Sequence, residues 1–137
     1  MELKEKVLAD GKKGSPVLPQ GLKNFIIDID GVVCEDIPNE EPWRMVSAAE
    51  IPGAREQINQ WYSEGNIITF FTARTEEHRK ATEDWLNSHG FKFNKVIFGK
   101  PRGGNYHYID DRQIRATNFR GKFGKLVEIE KKIQVFE

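Results

Sequence analysis

The stretch Phe25-Ile26-Ile27-Asp28-Ile29-Asp30-Gly31-Val32-Val33-Cys34-Glu35 (FIIDIDGVVCE) sets two carboxylates directly after an apolar run. A buried, unpaired carboxylate is costly enough that it normally takes up a proton or finds a cation. Asp28 and Asp30 therefore belong at the open end of a strand, or beside something positive. The segment Leu22 to Ile29 is short, Ile-rich and ended by Asp and Gly, which predicts a strand.

Working outward, residues 31–50 carry Pro38, Pro42 and mixed charges and read as an irregular excursion. Pro52 opens a helix in which Ala54, Ile58, Trp61 and Tyr62 form an apolar stripe, and Gly65 ends it. Asn66 to Phe71 (NIITFF) predicts a second strand, rich in β-branched and aromatic residues. A second helix follows from about Glu76 to His89, closed by Gly90. Lys95 to Phe98 (KVIF) predicts a third strand, Tyr106 to Ile109 (YHYI) a fourth, and Leu126 to Ile129 (LVEI) a fifth. The preceding residues, 1–21, show no sustained periodicity and read as a short helix or a loose arm. Strands alternating with helices predict an α/β fold, a three-layer Rossmann-like parallel sheet with helices on both faces.

The 137 residues suit one domain, expected over 22–137, and suffice for a core without staples. Twenty-one basic side chains balance 21 acidic ones, which argues against a general nucleic-acid or membrane-surface binder. The single cysteine, Cys34, leaves no internal disulfide to form and fits a reducing compartment. No segment has the length and apolarity of a membrane span, and the charged start lacks the apolar region of a signal peptide. A cytoplasmic protein is the expectation.

In open parallel sheets, ligands bind outside the carboxyl ends of the strands. Strand one ends in Asp28-Ile29-Asp30-Gly31 and strand two in Phe71-Thr72-Ala73-Arg74. Strand three is followed by Gly99-Lys100-Pro101-Arg102, and strand four ends in Asp110-Asp111-Arg112. One edge thus collects two carboxylate pairs, a hydroxyl, an ammonium and a guanidinium, a set suited to phosphoryl transfer. Carboxylate oxygens make a hard-oxygen site for Mg²⁺, which would offset the mutual repulsion of Asp28, Asp110 and Asp111. An aspartate can serve as nucleophile through an aspartyl-phosphate, and Asp30 could protonate the leaving oxygen and then deprotonate water. Thr72 and Lys100 would hold the equatorial phosphoryl oxygens, where transition-state charge collects.

Read together, these residues resemble the haloacid dehalogenase-like (HAD) phosphohydrolase superfamily. Asp28-Ile29-Asp30-Gly31-Val32 matches its first motif, Thr72 the second, Lys100 the third, and Asp110-Asp111 the fourth, in order over roughly residues 22–120. The resemblance implies Asp28 as nucleophile and metal ligand, Asp30 as general acid/base with its backbone carbonyl as a second ligand, and Asp110 as the main further ligand, with Asp111 beside it. Gly31, Ala73 and Arg74 would contact the substrate, and Mg²⁺ would be the cofactor. The second aspartate favours phosphomonoester hydrolysis over the superfamily's ATPase and dehalogenase chemistries. No cap domain is visible: residues 32–50 leave room only for a flap. Minimal capless members act on large substrates or close their sites by forming homo-oligomers. The segments YSEGNIITFFTARTEEHRKATEDWLNSHGF, FGKP and YIDD are most similar to small phosphatases of bacterial surface-sugar biosynthesis, which implies a sugar phosphate as substrate.

Blander readings stand beside these. Thr72 is also a good helix N-cap, with Glu76 and Glu77 suited to the first turn. Arg74 could fork onto a substrate phosphate or pair with those glutamates outside. Arg102 and Arg112 flank the mouth. Cys34 lacks the arginine cradle of a cysteine phosphatase and reads as a small side chain in the flap. His78, His89 and His107 are scattered and do not form a metal-ligand spacing. Trp43 could shield the site, stack on a substrate ring, or simply pack. Two other functions remain open. Asp110-Asp111-Arg112 is similar to the phosphatase domain of polynucleotide kinase-phosphatases, implying a nucleotide or nucleic-acid end as substrate, though the neutral charge makes nucleic acid an unfavoured partner. A phosphate- or metal-binding module without turnover is the non-enzymatic alternative.

Overall fold

The computed structural model describes residues 4–7, 13–127 and 133–137. Its centre is a parallel sheet of three strands, β3 (Asn24–Ile27), β4 (Ile67–Phe71) and β5 (Lys95–Ile97), in the order β3-β4-β5. Between β3 and β4 runs helix α1 (Ala54–Ser63), and between β4 and β5 helix α2 (Arg79–Ser88), preceded by a 3₁₀ turn at Glu76–His78. Parallel neighbours require such crossovers. The fold is α/β and Rossmann-like.

Register explains the core. Phe25 lies opposite Ile68 and Ile27 opposite Phe70, while Val96 lies opposite Phe70 on the other side. Since side chains alternate along a strand, these residues share one face. Phe25 stacks on Trp61 of α1 with centroids 4.2 Å apart. Phe70 meets Phe91 edge-on at 6.2 Å, and Phe91 stacks on Trp85 of α2 at 5.6 Å. Both helices thus reach the sheet through one set of aromatic and aliphatic side chains. On the opposite face Ile26 is 62% exposed and Ile97 40%.

Helix ends follow local chemistry. Gly65 and Gly90 adopt φ of 97° and 77°, the left-handed conformation that ends α1 and α2 where only glycine enters without strain. Asn66 then bridges the α1–β4 turn, accepting from Lys23 N and donating to the Trp61 carbonyl at 2.9 and 3.0 Å. The flap ends against α2, where Trp85 Nε1 donates to the Ala48 carbonyl at 3.0 Å.

Three expectations are corrected. The N-terminal arm is neither helical nor loose over its described residues: β1 (Lys4–Val7) and β2 (Lys13–Val17) pair antiparallel, Lys4 opposite Val17. Gly14 and Pro16 disfavour a helix, and a proline is tolerated in a two-stranded ladder because both strands are edges. Tyr106–Ile109 forms no strand. Gly103, Gly104 and Asn105 all have positive φ and turn the chain immediately before it. Its polar groups are then engaged locally, Tyr106 Oη donating to the Pro101 carbonyl and Tyr108 Oη to Asp110 Oδ2 at 2.7 Å. Leu126 and Val127 of the expected fifth strand are irregular and exposed, and the rest of that segment lies outside the described residues. Among the described residues no helix is long and apolar enough to cross a membrane.

Candidate active site

The two aspartates are placed by a tight turn. After Ile27 the chain alternates, so Ile29 points into the core, fully buried, while Asp28 and Asp30 line a cleft. Gly31 supplies the reversal at φ 85°. Its N–H donates to the Cys34 carbonyl at 2.9 Å, and Val32 and Val33 both donate to the Ile29 carbonyl, at 3.1 and 2.9 Å. Val33 and Cys34 are buried behind it. The carboxylates therefore stand past the apolar run, at the mouth of the sheet. Asp28 Oδ1 also accepts from the Ile29 N–H at 2.9 Å.

The other two strands extend their ladder beyond their own ends. Thr72 N donates to Ile97 O, Gly99 N to Arg74 O and Lys100 N to Thr72 O, at 2.9, 3.0 and 2.9 Å. These bonds fix Lys100, whose Nζ lies 3.6 Å from Asp28 Oδ2 and 4.7 Å from the centre of the Tyr106 ring. Burial pushes the Asp28 carboxyl above the usual range, against the opposing pull of Lys100 and of the Ile29 N–H.

A cleft of about 390 Å³ opens there, lined by Asp28, Asp30, Ala73 and Lys100, by Asp36 and Asn39 of the flap, and by the Arg102–Tyr106 turn. Its volume suits a small ligand. With its amide oxygen facing Arg102, Asn39 accepts from Nη1 and Nη2 at 3.0 and 2.6 Å, joining the flap to the turn across the opening.

Three residues expected at the substrate are placed elsewhere. Thr72 is fully buried, and its Oγ1 accepts from the Arg74 N–H at 3.1 Å, so the hydroxyl serves the local turn. Arg74 is 2% exposed, with its guanidinium turned inward. Nε donates to Asp30 Oδ2 at 3.0 Å and Nη2 to Asp30 Oδ1 at 2.7 Å, while Nη1 donates to Thr82 Oγ1 at 3.0 Å. Gly31 forms the turn and is not part of the cleft lining. Cys34 Sγ lies 3.7 Å from both Asp30 Oδ1 and Arg74 Nη2, and burial with the nearby Asp30 charge pushes its thiol up to about 12.

Asp110 and Asp111 are exposed and do not line the cleft. Asp110 is engaged by Tyr108 Oη and by the Arg112 N–H at 2.9 Å, which hold its carboxyl below the usual range. The donor set expected for Mg²⁺ does not fit that ion in this arrangement. Asp30 has both oxygens on a guanidinium, Asp28 faces an ammonium, and the other two acids lie off the cleft. Among the described residues no group of three or more His, Cys, Asp or Glu side chains could hold a metal ion.

Sequence reasoning expected a flap over residues 32–50 but did not single out Asp36 and Asn39 as lining residues. Asp36 and Asn39 follow no motif, and only the fold brings them over the strand ends. The buried direction of Arg74 did have a signal: Thr82, eight residues on, is a polar residue on the inward side of α2 that needs a partner.

Relatives can now be set beside this geometry. Mouse and human membrane-associated phosphatidylinositol transfer protein 3 are each 26% identical to the chain over 83 residues, 60% of this chain and 8% of theirs. The chain thus spans less than a tenth of the length of these curated relatives. Among solved structures, a chain of a Pnkp1/Rnl/Hen1 complex superposes with a TM-score of 0.51 at 16% identity, over 68% of this chain and 32% of that one, a likeness of fold. A structural-genomics target from Vibrio cholerae gives a TM-score of 0.49 at 22% identity, over 69% and 84% of the two chains. Residues 25–116, from β3 through the turn that carries Lys100 to beyond Asp111, match the family described as PITM 1-3, LNS2 domain. With about two thirds of its length inside that match, the chain belongs to the LNS2 domain family, within the HAD-like superfamily.

Proposed function

We propose that this chain is a phosphomonoester hydrolase in which Asp28 is the nucleophile. One observation carries the reading: Asp28 stands in the cleft at the carboxyl end of β3 with Lys100 Nζ 3.6 Å from its carboxylate. A nucleophile beside a fixed ammonium is an arrangement for attacking a phosphoryl group whose own negative charge must be neutralised.

In the proposed reaction a phosphomonoester enters the cleft with its oxygens toward Lys100 and Arg102. An Asp28 oxygen forms a bond to phosphorus as the ester P–O bond breaks. The leaving oxygen takes a proton from Asp30. Water then attacks the aspartyl-phosphate and gives its proton to Asp30, releasing inorganic phosphate and regenerating Asp28. Because the acidic residues do not converge on a cation site, no step is assigned to a metal, and turnover with Mg²⁺ against EDTA is a separate measurement. The cleft volume of about 390 Å³ and the neutral net charge favour a small phosphate ester such as a sugar phosphate over a nucleic-acid end.

A second reading has its own support. The placement of Asp110 and Asp111 off the cleft suits a domain that binds a phosphate group without turning it over.

Phosphate release from sugar phosphates, nucleotides and phosphorylated oligonucleotides separates these readings. Hydrolysis of one small ester, lost in Asp28→Asn, supports the hydrolase. Saturable binding of that ester with no phosphate released supports the binding module and sinks the nucleophile.

A further inference from the structure

Arg74 is placed where a substrate cannot reach it. Its side chain is 2% exposed, and each of its three guanidinium nitrogens donates to a protein atom. The fork on Asp30 is bidentate, through Nε at 3.0 Å and Nη2 at 2.7 Å, a geometry that fixes the plane of a carboxylate as well as its position. Nη1 holds Thr82 on α2, itself 1% exposed, and Nη2 also touches the Cys34 sulfur at the start of the flap. Asp30, by contrast, is 17% exposed at its side chain and lines the cleft. One buried guanidinium therefore ties the cleft-lining acid Asp30 to β4, to α2 and to the flap.

We infer that Arg74 is a positioning residue: it fixes the Asp30 carboxyl group, which gives its proton to the leaving oxygen and regains one from water, and has no contact with the substrate. The inference rests on the proposed hydrolase reading, since Asp30 is the proton donor only in that reaction. Lysine can supply the charge but not the fork, so Arg74→Lys leaves Asp30 paired yet free to turn. Thr82→Val perturbs the same fork from outside the cleft by removing the acceptor of Nη1.

The test compares 4-nitrophenyl phosphate, whose leaving group needs little protonation, with glycerol 3-phosphate, whose leaving alkoxide needs it fully. Arg74→Lys is expected to lower kcat on glycerol 3-phosphate by roughly tenfold to a hundredfold, and on 4-nitrophenyl phosphate several-fold less, with KM within about twofold. Thr82→Val should move the same ratio in the same direction by a smaller factor. In an Asp30→Asn background Arg74→Lys should have little further effect on kcat. Equal losses on the two esters, or a raised KM with kcat retained, would overturn the assignment, the second by putting Arg74 on the substrate. If the wild-type protein turns over neither ester, the hydrolase reading fails by itself. Melting temperatures of the wild type, Arg74→Lys, Asp30→Asn and the double variant then decide the clamp: destabilisation by Arg74→Lys that disappears in the Asp30→Asn background upholds it, and an undiminished destabilisation removes it.

Discussion

Asp28 and Asp30 lie two residues apart on one side of the chain, yet their surroundings give them different chemistry. Asp28 faces the cleft and an ammonium, whereas Asp30 is gripped from behind by a guanidinium. Replacing Asp28 with asparagine is expected to lower turnover by roughly a thousandfold, about 4 kcal/mol of barrier, because the amide is a poor nucleophile. The same substitution should leave the melting temperature at neutral pH equal to or above that of the wild type. The sign follows from burial: the folded state raises the Asp28 pKa, so ionisation in the folded protein opposes stability. That penalty is absent at pH below the unfolded value of 3.8 and is complete above the raised folded value, so the difference should vanish in acid. Thermal unfolding from pH 3 to 8 checks it. Cys34, with its thiol pushed up to about 12 behind the Asp30–Arg74 pair, should resist a thiol reagent in the folded protein at pH 8 and react once unfolded. Rapid labelling of the native protein would contradict that burial.

At the scale of elements, the strand ends were legible because glycines and β-branched runs punctuate them. NIITFF became β4, KVIF became β5, and Gly65 and Gly90 ended the helices where expected. The turn after β3 depends on one residue. A Cβ at Gly31 would meet nothing within 4 Å, so Gly31→Ala should cost only the strain of φ 85°, about 1–2 kcal/mol and a few degrees of melting temperature. A loss well above 3 kcal/mol would mean that the turn is packed more tightly than its surroundings indicate. Arg74 was legible only in part, through Thr82. The sequence places an arginine at the end of β4, but whether it forks outward or inward depends on Thr82 from α2 and Asp30 from β3, both remote along the chain. The same holds for Tyr106–Ile109, where Gly103-Gly104-Asn105 marks a turn but not what the residues beyond it join.

On the scale of the whole molecule, residues 24–97 carry the sheet, both helices and nearly all of the buried apolar side chains, while the described residues beyond Phe98 are largely irregular and exposed. Trypsin is expected to cut first after Arg102, Arg112, Arg115 or Lys122, and only later within α1 and α2, with mass spectrometry assigning the sites. The candidate site straddles this divide: its nucleophile and clamp follow the ends of β3 and β4, and Lys100 and Arg102 sit just past β5. Family membership fixes the superfamily, and function has to come from the site itself. The most direct test of the account is a phosphate-release assay on a panel of small phosphate esters, run for the wild type and Asp28→Asn side by side. Release by the wild type that falls to background in Asp28→Asn, with both proteins folded, is the predicted result. Equal release by the two proteins, or none by a folded wild type that binds the ester, would contradict the nucleophile at the centre of the account.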